Sequence, residues 1–119
     1  MLRSLEQMRA KMAWDFINEV KGKDYQKDYR AYVRRAPALI LSNGLGNTLA
    51  FWRAKGGAAY TKLYEHINRW FKERRPEEED ILAWVVSDST SSLEVFKETK
   101  EVISLLSWMK RFAEAELEE

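Results

Sequence analysis

Residues 37–52, PALILSNGLGNTLAFW, admit two readings, and the choice between them sets the fold class. Asn43-Gly44 is a favoured two-residue hairpin turn. A hairpin also needs apolar and polar residues to alternate on both flanks. Leu39, Ile40 and Leu41 are consecutive, and Leu45-Gly46-Asn47-Thr48 alternates poorly. The helical template fits better. At 100° per residue, Leu41, Leu45, Leu49 and Trp52 fall within about 80° of one another, with Ala38 and Thr48 beside them. Ile40, Asn43, Asn47, Phe51 and Ala54 take the opposite side. Gly44 and Gly46 cost a helix roughly 2 kcal/mol against alanine. Burying several large side chains gains roughly 1.5–3 kcal/mol each and exceeds that cost. The expectation is a central, buried, uncharged helix over 37–55, with its small residues letting neighbouring backbone approach.

The rest of the chain carries helical periodicity too. Residues 4–21 open with Ser4-Leu5-Glu6-Gln7, a capping-box pattern. Leu5, Met8, Met12, Phe16 and Val20 share one face, and Gly22 ends the run. Residues 24–36 place Tyr25, Tyr29, Tyr32, Val33 and Ala36 on a narrow stripe, after which Pro37 breaks the pattern and can open the next helix. Lys55-Gly56-Gly57 separates that central helix from a fourth over 58–73, with Tyr60, Leu63, Tyr64, Ile67 and Trp70 inward. A short fifth helix is expected to start at Pro76, with Glu77, Glu78 and Glu79 at its positive end and Ile81, Trp84 and Val85 packing. SDSTSS at 87–92 is the one clear polar loop. Ser91-Ser92-Leu93-Glu94 is a second capping box. It opens a last helix running to about 117 through Phe96, Thr99, Ile103, Leu106, Ala113 and Leu117, with an apolar arc of about 200° that calls for packing on two sides. The expected fold is all-α: a compact single-domain bundle of about six helices over residues 1–119.

Composition limits function. A chain of 119 residues with 45% hydrophobic and 13% aromatic content can bury one core. The absence of cysteine removes disulfides, thiolate zinc sites and cysteine nucleophiles, and fits a reducing cytoplasm. Charges throughout MLRSLEQMRAKMAW argue against a signal peptide. The longest uncharged run, residues 36–52, is 17 long and holds a proline and two glycines, too short and too polar for a membrane span. Net charge is only +1, yet residues 1–75 carry 16 Lys/Arg against 7 Asp/Glu, and residues 76–119 carry 4 against 12. A basic half of +9 and an acidic half of −8 suit a polyanion partner, head-to-tail contact between copies, or mutual neutralisation within the fold.

Enzyme chemistry is poorly supported. Gly44-Leu45-Gly46 lacks the Lys-Ser/Thr of a phosphate loop, and no strand precedes it. His66 is the only histidine; alone on a helix it reads as a surface or capping residue rather than a metal ligand. Ser87-Asp88-Ser89 has no histidine nearby to activate it. Glu77–Asp80 reads as helix-start charge. No cofactor is expected.

Basic stripes are the positive signal. Lys23, Lys27, Arg30 and Arg34 lie within about 60° of one another, opposite the tyrosine stripe. Like charges at i, i+3 and i+4 repel, a cost that nucleic-acid phosphates would remove while releasing counterions. Asp24 and Asp28 could instead offset them on a solvated face. Lys62, His66, Arg69 and Lys72 form a related stripe on the fourth helix. Arg9 and Lys110 sit centred in apolar faces, where each needs a buried acid or a partner's anion. Trp14 lies at the edge of the first helix's apolar face and can stack on a base, cover a neighbouring subunit or simply pack.

Four segments occur in order: RAKMAWDFINEVK (9–21), PALILSNGLGNTLAFWRAK (37–55), LYEHINRWF (63–71) and TKEVISLLSWMKRFAEA (99–115). Across nearly the whole chain they resemble the small α-helical subunit of type III-B CRISPR effector complexes, the Cmr complexes. NGL followed by TLAFW is the most specific part. The resemblance implies a six-helix globule with no nuclease activity of its own. It also implies copies that stack along the complex beside backbone subunits and help hold target RNA against guide RNA. Guide pairing would read sequence while protein reads backbone and shape. The matched basic residues are Arg9, Lys21, Lys55, Arg69, Lys110 and Arg111. Partners would then be guide RNA, target RNA, other subunits and neighbouring copies, with no membrane. The alternative is a structural spacer whose basic faces meet an acidic protein and never touch RNA.

Overall fold

A computed structural model describes residues 3–119. Six helices follow one another: α1 (Leu5–Val20), α2 (Gln26–Asn43), α3 (Leu45–Lys55), α4 (Gly57–Arg74), α5 (Ile81–Val86) and α6 (Ser92–Glu116). No strand occurs among the described residues. The all-α class and the six-helix count are as expected, and the helical reading of residues 37–52 holds against the hairpin.

The break within that segment lies elsewhere than expected. Pro37 does not start a helix; it sits inside α2, which continues to Asn43. Val33, Ala36 and Ile40 form one buried stripe, and stopping at Pro37 would pull Ile40 out of the core. Burial of Ile40 and its neighbours thus outweighs a proline in a helix interior. The chain breaks at Gly44 instead, at φ +86° and ψ 158°. That backbone region is essentially closed to residues with a Cβ, at about 1–3 kcal/mol. Gly44 is a one-residue joint: its N–H donates to the Ile40 carbonyl at 2.8 Å, and its own carbonyl accepts from the Thr48 hydroxyl at 2.8 Å.

The joint also re-aims the side chains beyond it. Leu45, Leu49 and Trp52 are buried as expected, but Leu41 is 74% exposed and Ile40 takes its place inside. Phe51 is exposed as well, so the uncharged segment is two helices with a buried side and a solvent side. Gly46 has the packing role: a Cβ there would lie 3.1 Å from Cγ1 of Val85 on α5.

Both capping boxes form. The Ser4 hydroxyl accepts from the Gln7 N–H at 3.1 Å, and the Ser91 hydroxyl from the Glu94 N–H at 3.1 Å. α5 starts later than expected because Asp80, not Pro76, caps it, accepting from the Ala83 N–H at 3.0 Å. α6 packs along both α1 and α2, as its wide apolar arc requires. Its expected inward residue Phe96 is exposed, as are Leu5 and Met8 on α1, because each lies near the first turns of its helix, beyond the shared core.

Candidate nucleic-acid interface

Two long-range ion pairs set the register of α1 on α6. The Arg9 guanidinium holds Glu101 through Nε at 2.6 Å and Nη2 at 2.8 Å, and the Lys21 ammonium meets Glu116 at 2.8 Å. The two helices therefore run parallel. On the other flank, the Glu118 N–H donates to Gln26 Oε1 at 3.1 Å and Arg30 meets Glu119 at 3.4 Å; the start of α2 thus lies at the end of α6, and because the two helices pack along each other they run antiparallel. Arg34 and Lys110 each lie eight residues in from the Gln26–Glu118 contact on their own helices.

The fold divides the expected contact residues into two groups. Arg9, Lys21, Arg30, Lys62 and Arg69 have carboxylate partners within the chain. Arg9 is half-buried, and its partner Glu101 also accepts from the Trp70 indole N–H at 2.9 Å, so this pair ties α1, α4 and α6 together. Lys62 reaches Glu65 at 3.4 Å, and Arg69 grips Glu19 at 2.9 Å while lying 5.0 Å above the Phe16 ring. In contrast, Lys23, Lys27, Arg34, Lys55, Lys110 and Arg111 have no carboxylate within 4.0 Å among the described residues. All except half-buried Lys110 are exposed. The acidic half of the sequence thus neutralises part of the basic half, at the α1–α6 and α2–α6 seams, and leaves the rest uncompensated.

The structure joins the two stripes at one place. Lys21 and Lys23 from the α1–α2 turn and Lys62 from α4 line an open cleft of about 770 Å³, together with Glu19, Asp24 and Tyr25. Lys27 and Arg34 follow Lys23 along the exposed face of α2. Lys55 lies apart at the end of α3.

His66 is not a surface or capping residue, contrary to expectation: it has no solvent exposure. Its ring stacks on Phe16 at 4.2 Å, Nδ1 shares a hydrogen bond with the Tyr29 hydroxyl at 2.6 Å, and Nε2 meets Glu19 at 3.0 Å. Burial drives its pKa down to about 4 despite the favourable carboxylate. It is neutral at pH 7 and drops out of the α4 stripe as a cation. Glu19, whose own pKa is held below the usual carboxylate range by His66 and Arg69 against the opposing pull of burial, is the hub that sequence reasoning missed. Glu19 lies 47 residues from His66 and 50 from Arg69, and no periodic pattern marks contacts at that separation.

Among the described residues, no group of three or more His, Asp or Glu could hold a metal ion. No described helix is long and apolar enough to cross a membrane.

Residues 5–116 match the family described as CRISPR-associated protein (Cas_Cmr5). The chain is 28% identical over 118 residues to the CRISPR system Cmr subunit Cmr5 of Thermus thermophilus, covering 99% of this chain and all of that one. A crystal structure of a CRISPR-associated Cmr5 family protein from the same organism superposes with a TM-score of 0.81 at 25% identity, covering 98% of this chain and all of the other.

Proposed function

The chain belongs to the CRISPR-associated Cmr5 family, and on that premise we propose that it is a non-catalytic subunit of an RNA-guided, RNA-targeting effector complex. In this reading it stacks beside other subunits and copies of itself in the cytoplasm, and its basic helix faces meet the backbones of guide and target RNA. The observation that carries the RNA contact is the set of cations without internal partners, above all Lys23 in the turn before α2, Lys27 and Arg34 on α2, and Lys110 on α6. Arg111 and Lys55 add to it at the periphery. Lys21 and Lys62, already paired, can exchange a carboxylate for a phosphate at the cleft. Arg30 is nearly covered, at 13% side-chain exposure, and can exchange Glu119 in the same way. Arg9 and Arg69 contribute by holding α1 and α4 in place, Arg9 through half-buried Glu101 and Arg69 through Glu19 while it lies over the buried Phe16 ring.

Lysines and arginines spaced along a seam bind backbone rather than base edges, so binding is expected to be salt-sensitive with little sequence preference. Reversing Lys27, Arg34 and Lys110 to glutamate is expected to lower affinity for single-stranded RNA at least about tenfold. It is also expected to flatten the log–log salt dependence by about 2, near 0.7 per lost phosphate contact. Filter binding across a salt series, with circular dichroism to confirm the helices, reads both. Unchanged affinity in the folded variant, with loss of co-purifying protein instead, would favour the acidic-neighbour spacer.

A further inference from the structure

The aromatic side chains of this protein are mostly partnered from within. Tyr32 stacks on Tyr60 at 3.8 Å, and Phe16 on His66 at 4.2 Å. Arginine or lysine lies over Tyr32, Tyr64, Phe16, Trp70, Trp84 and Phe96. Trp14 differs. It is 41% exposed, the most exposed of the five tryptophans. Its one aromatic contact is edge-on, to Phe112 at 5.2 Å and 81°, and among the described residues no cation or parallel ring covers it. Phe112 in turn leans on half-buried Trp108 at 5.6 Å. The three rings form a ledge along the α1–α6 seam. Arg111, exposed and without an acid partner, stands one helical turn from Trp108 on the same surface of α6.

We infer that Trp14 is a stacking platform for one unpaired base of a bound RNA strand, with Arg111 taking an adjacent phosphate. The chemistry fits. An indole face offers stacking to any base, and a neighbouring guanidinium supplies the charge that brings the strand there. Phe96, more exposed still, already carries Lys100 at 5.4 Å, and Phe51, edge-on to Tyr60 with Lys55 one turn further along α3, offers a smaller ring away from the α6 cations. The inference rests on the RNA-binding reading above and adds a contact to bases that the α2–α6 cations do not make. Trp14 sits across α6 from that seam, so a strand crossing α6 between Lys110 and Arg111 touches both.

The test compares an oligouridylate with a strand of equal length and charge made entirely of abasic residues. Wild-type protein is expected to bind the oligouridylate more tightly and to show quenched tryptophan emission with it. Trp14→Ala is expected to weaken oligouridylate binding about tenfold and to leave abasic binding unchanged. Trp14→Phe keeps a ring against Phe112, so it preserves the seam. It is expected to bind oligouridylate with intermediate affinity and without the quench. Lys110→Glu is expected to weaken both strands. If folded Trp14→Ala and Trp14→Phe bind and quench like wild type, or weaken both strands alike, the platform is overturned and the backbone reading stands. If wild-type protein binds neither strand, the RNA reading falls and the platform with it.

Discussion

Glu98→Ala is expected to destabilise the fold by about 3 kcal/mol, read as a lower midpoint in urea denaturation with little change in slope. Glu98 lies in α6 with its side chain 1% exposed, and the Arg74 fork meets it at 2.9 and 2.5 Å. Arg75 approaches to 3.8 Å. Removing the carboxylate strands the Arg74 guanidinium over Trp70, half-buried and without its anion. A charge left in that setting costs several kcal/mol, whereas the intact pair contributes little beyond an apolar pair of similar shape. The double variant Arg74→Met/Glu98→Leu is therefore expected to recover most of the loss. A loss under about 1 kcal/mol in Glu98→Ala would show that Arg74 escapes to water, and the pair would then not anchor α4 to α6.

Acid is expected to weaken the protein well before its carboxylates titrate. His66 titrates near 4 in the folded protein against 6.5 in an unfolded chain. Between these values the unfolded state binds the extra proton, so stability is full above about pH 6.5 and falls as pH drops toward 4. The separation corresponds to about 3 kcal/mol at most. Glu19, Asp80 and Glu101 all have lowered pKa values in the fold, so their contributions are lost in the same direction, starting only as pH falls into the normal carboxylate range of about 4 and continuing below it. His66→Gln is expected to flatten the profile between pH 6.5 and about 4.5 and to keep the steeper fall below it. Denaturation midpoints at half-unit pH steps check this. An unchanged slope in the variant would place the proton uptake elsewhere.

Local features are legible in the sequence because local physics fixes them. Ser4-x-x-Gln7 and Ser91-x-x-Glu94 cap helices by contacts three residues apart, and both form. The spacing of Phe16 and Val20, or of Tyr29, Val33 and Ala36, places them in the core at once. The boundary between α2 and α3 escapes sequence reading because a proline's cost is local, whereas the burial of Ile40 that overrides it depends on packing from other helices. The uncharged segment reads as buried all round because periodicity alone does not register a joint at Gly44 that turns Leu41 outward. Within the candidate interface, the sequence supplies the cations but not their partners. Only the register of α6 against α1 and α2 shows that Glu101, Glu116 and Glu119 hold Arg9, Lys21 and Arg30 while Lys27, Arg34 and Arg111 stand uncompensated. A helical wheel likewise counts His66 with the cations, since the burial that keeps it neutral comes from packing against Phe16 of α1 and Tyr29 of α2.

Within the assembled complex, the cationic seam is expected to lie against RNA. Ultraviolet crosslinking of that complex, loaded with guide and target RNA, followed by mass spectrometry of nucleotide-bearing peptides, addresses this most directly. Adducts are expected on the segment from Lys23 to Arg34 and on the peptide holding Lys110 and Arg111. Adducts confined to other subunits, with these two segments crosslinked only to protein, would contradict it.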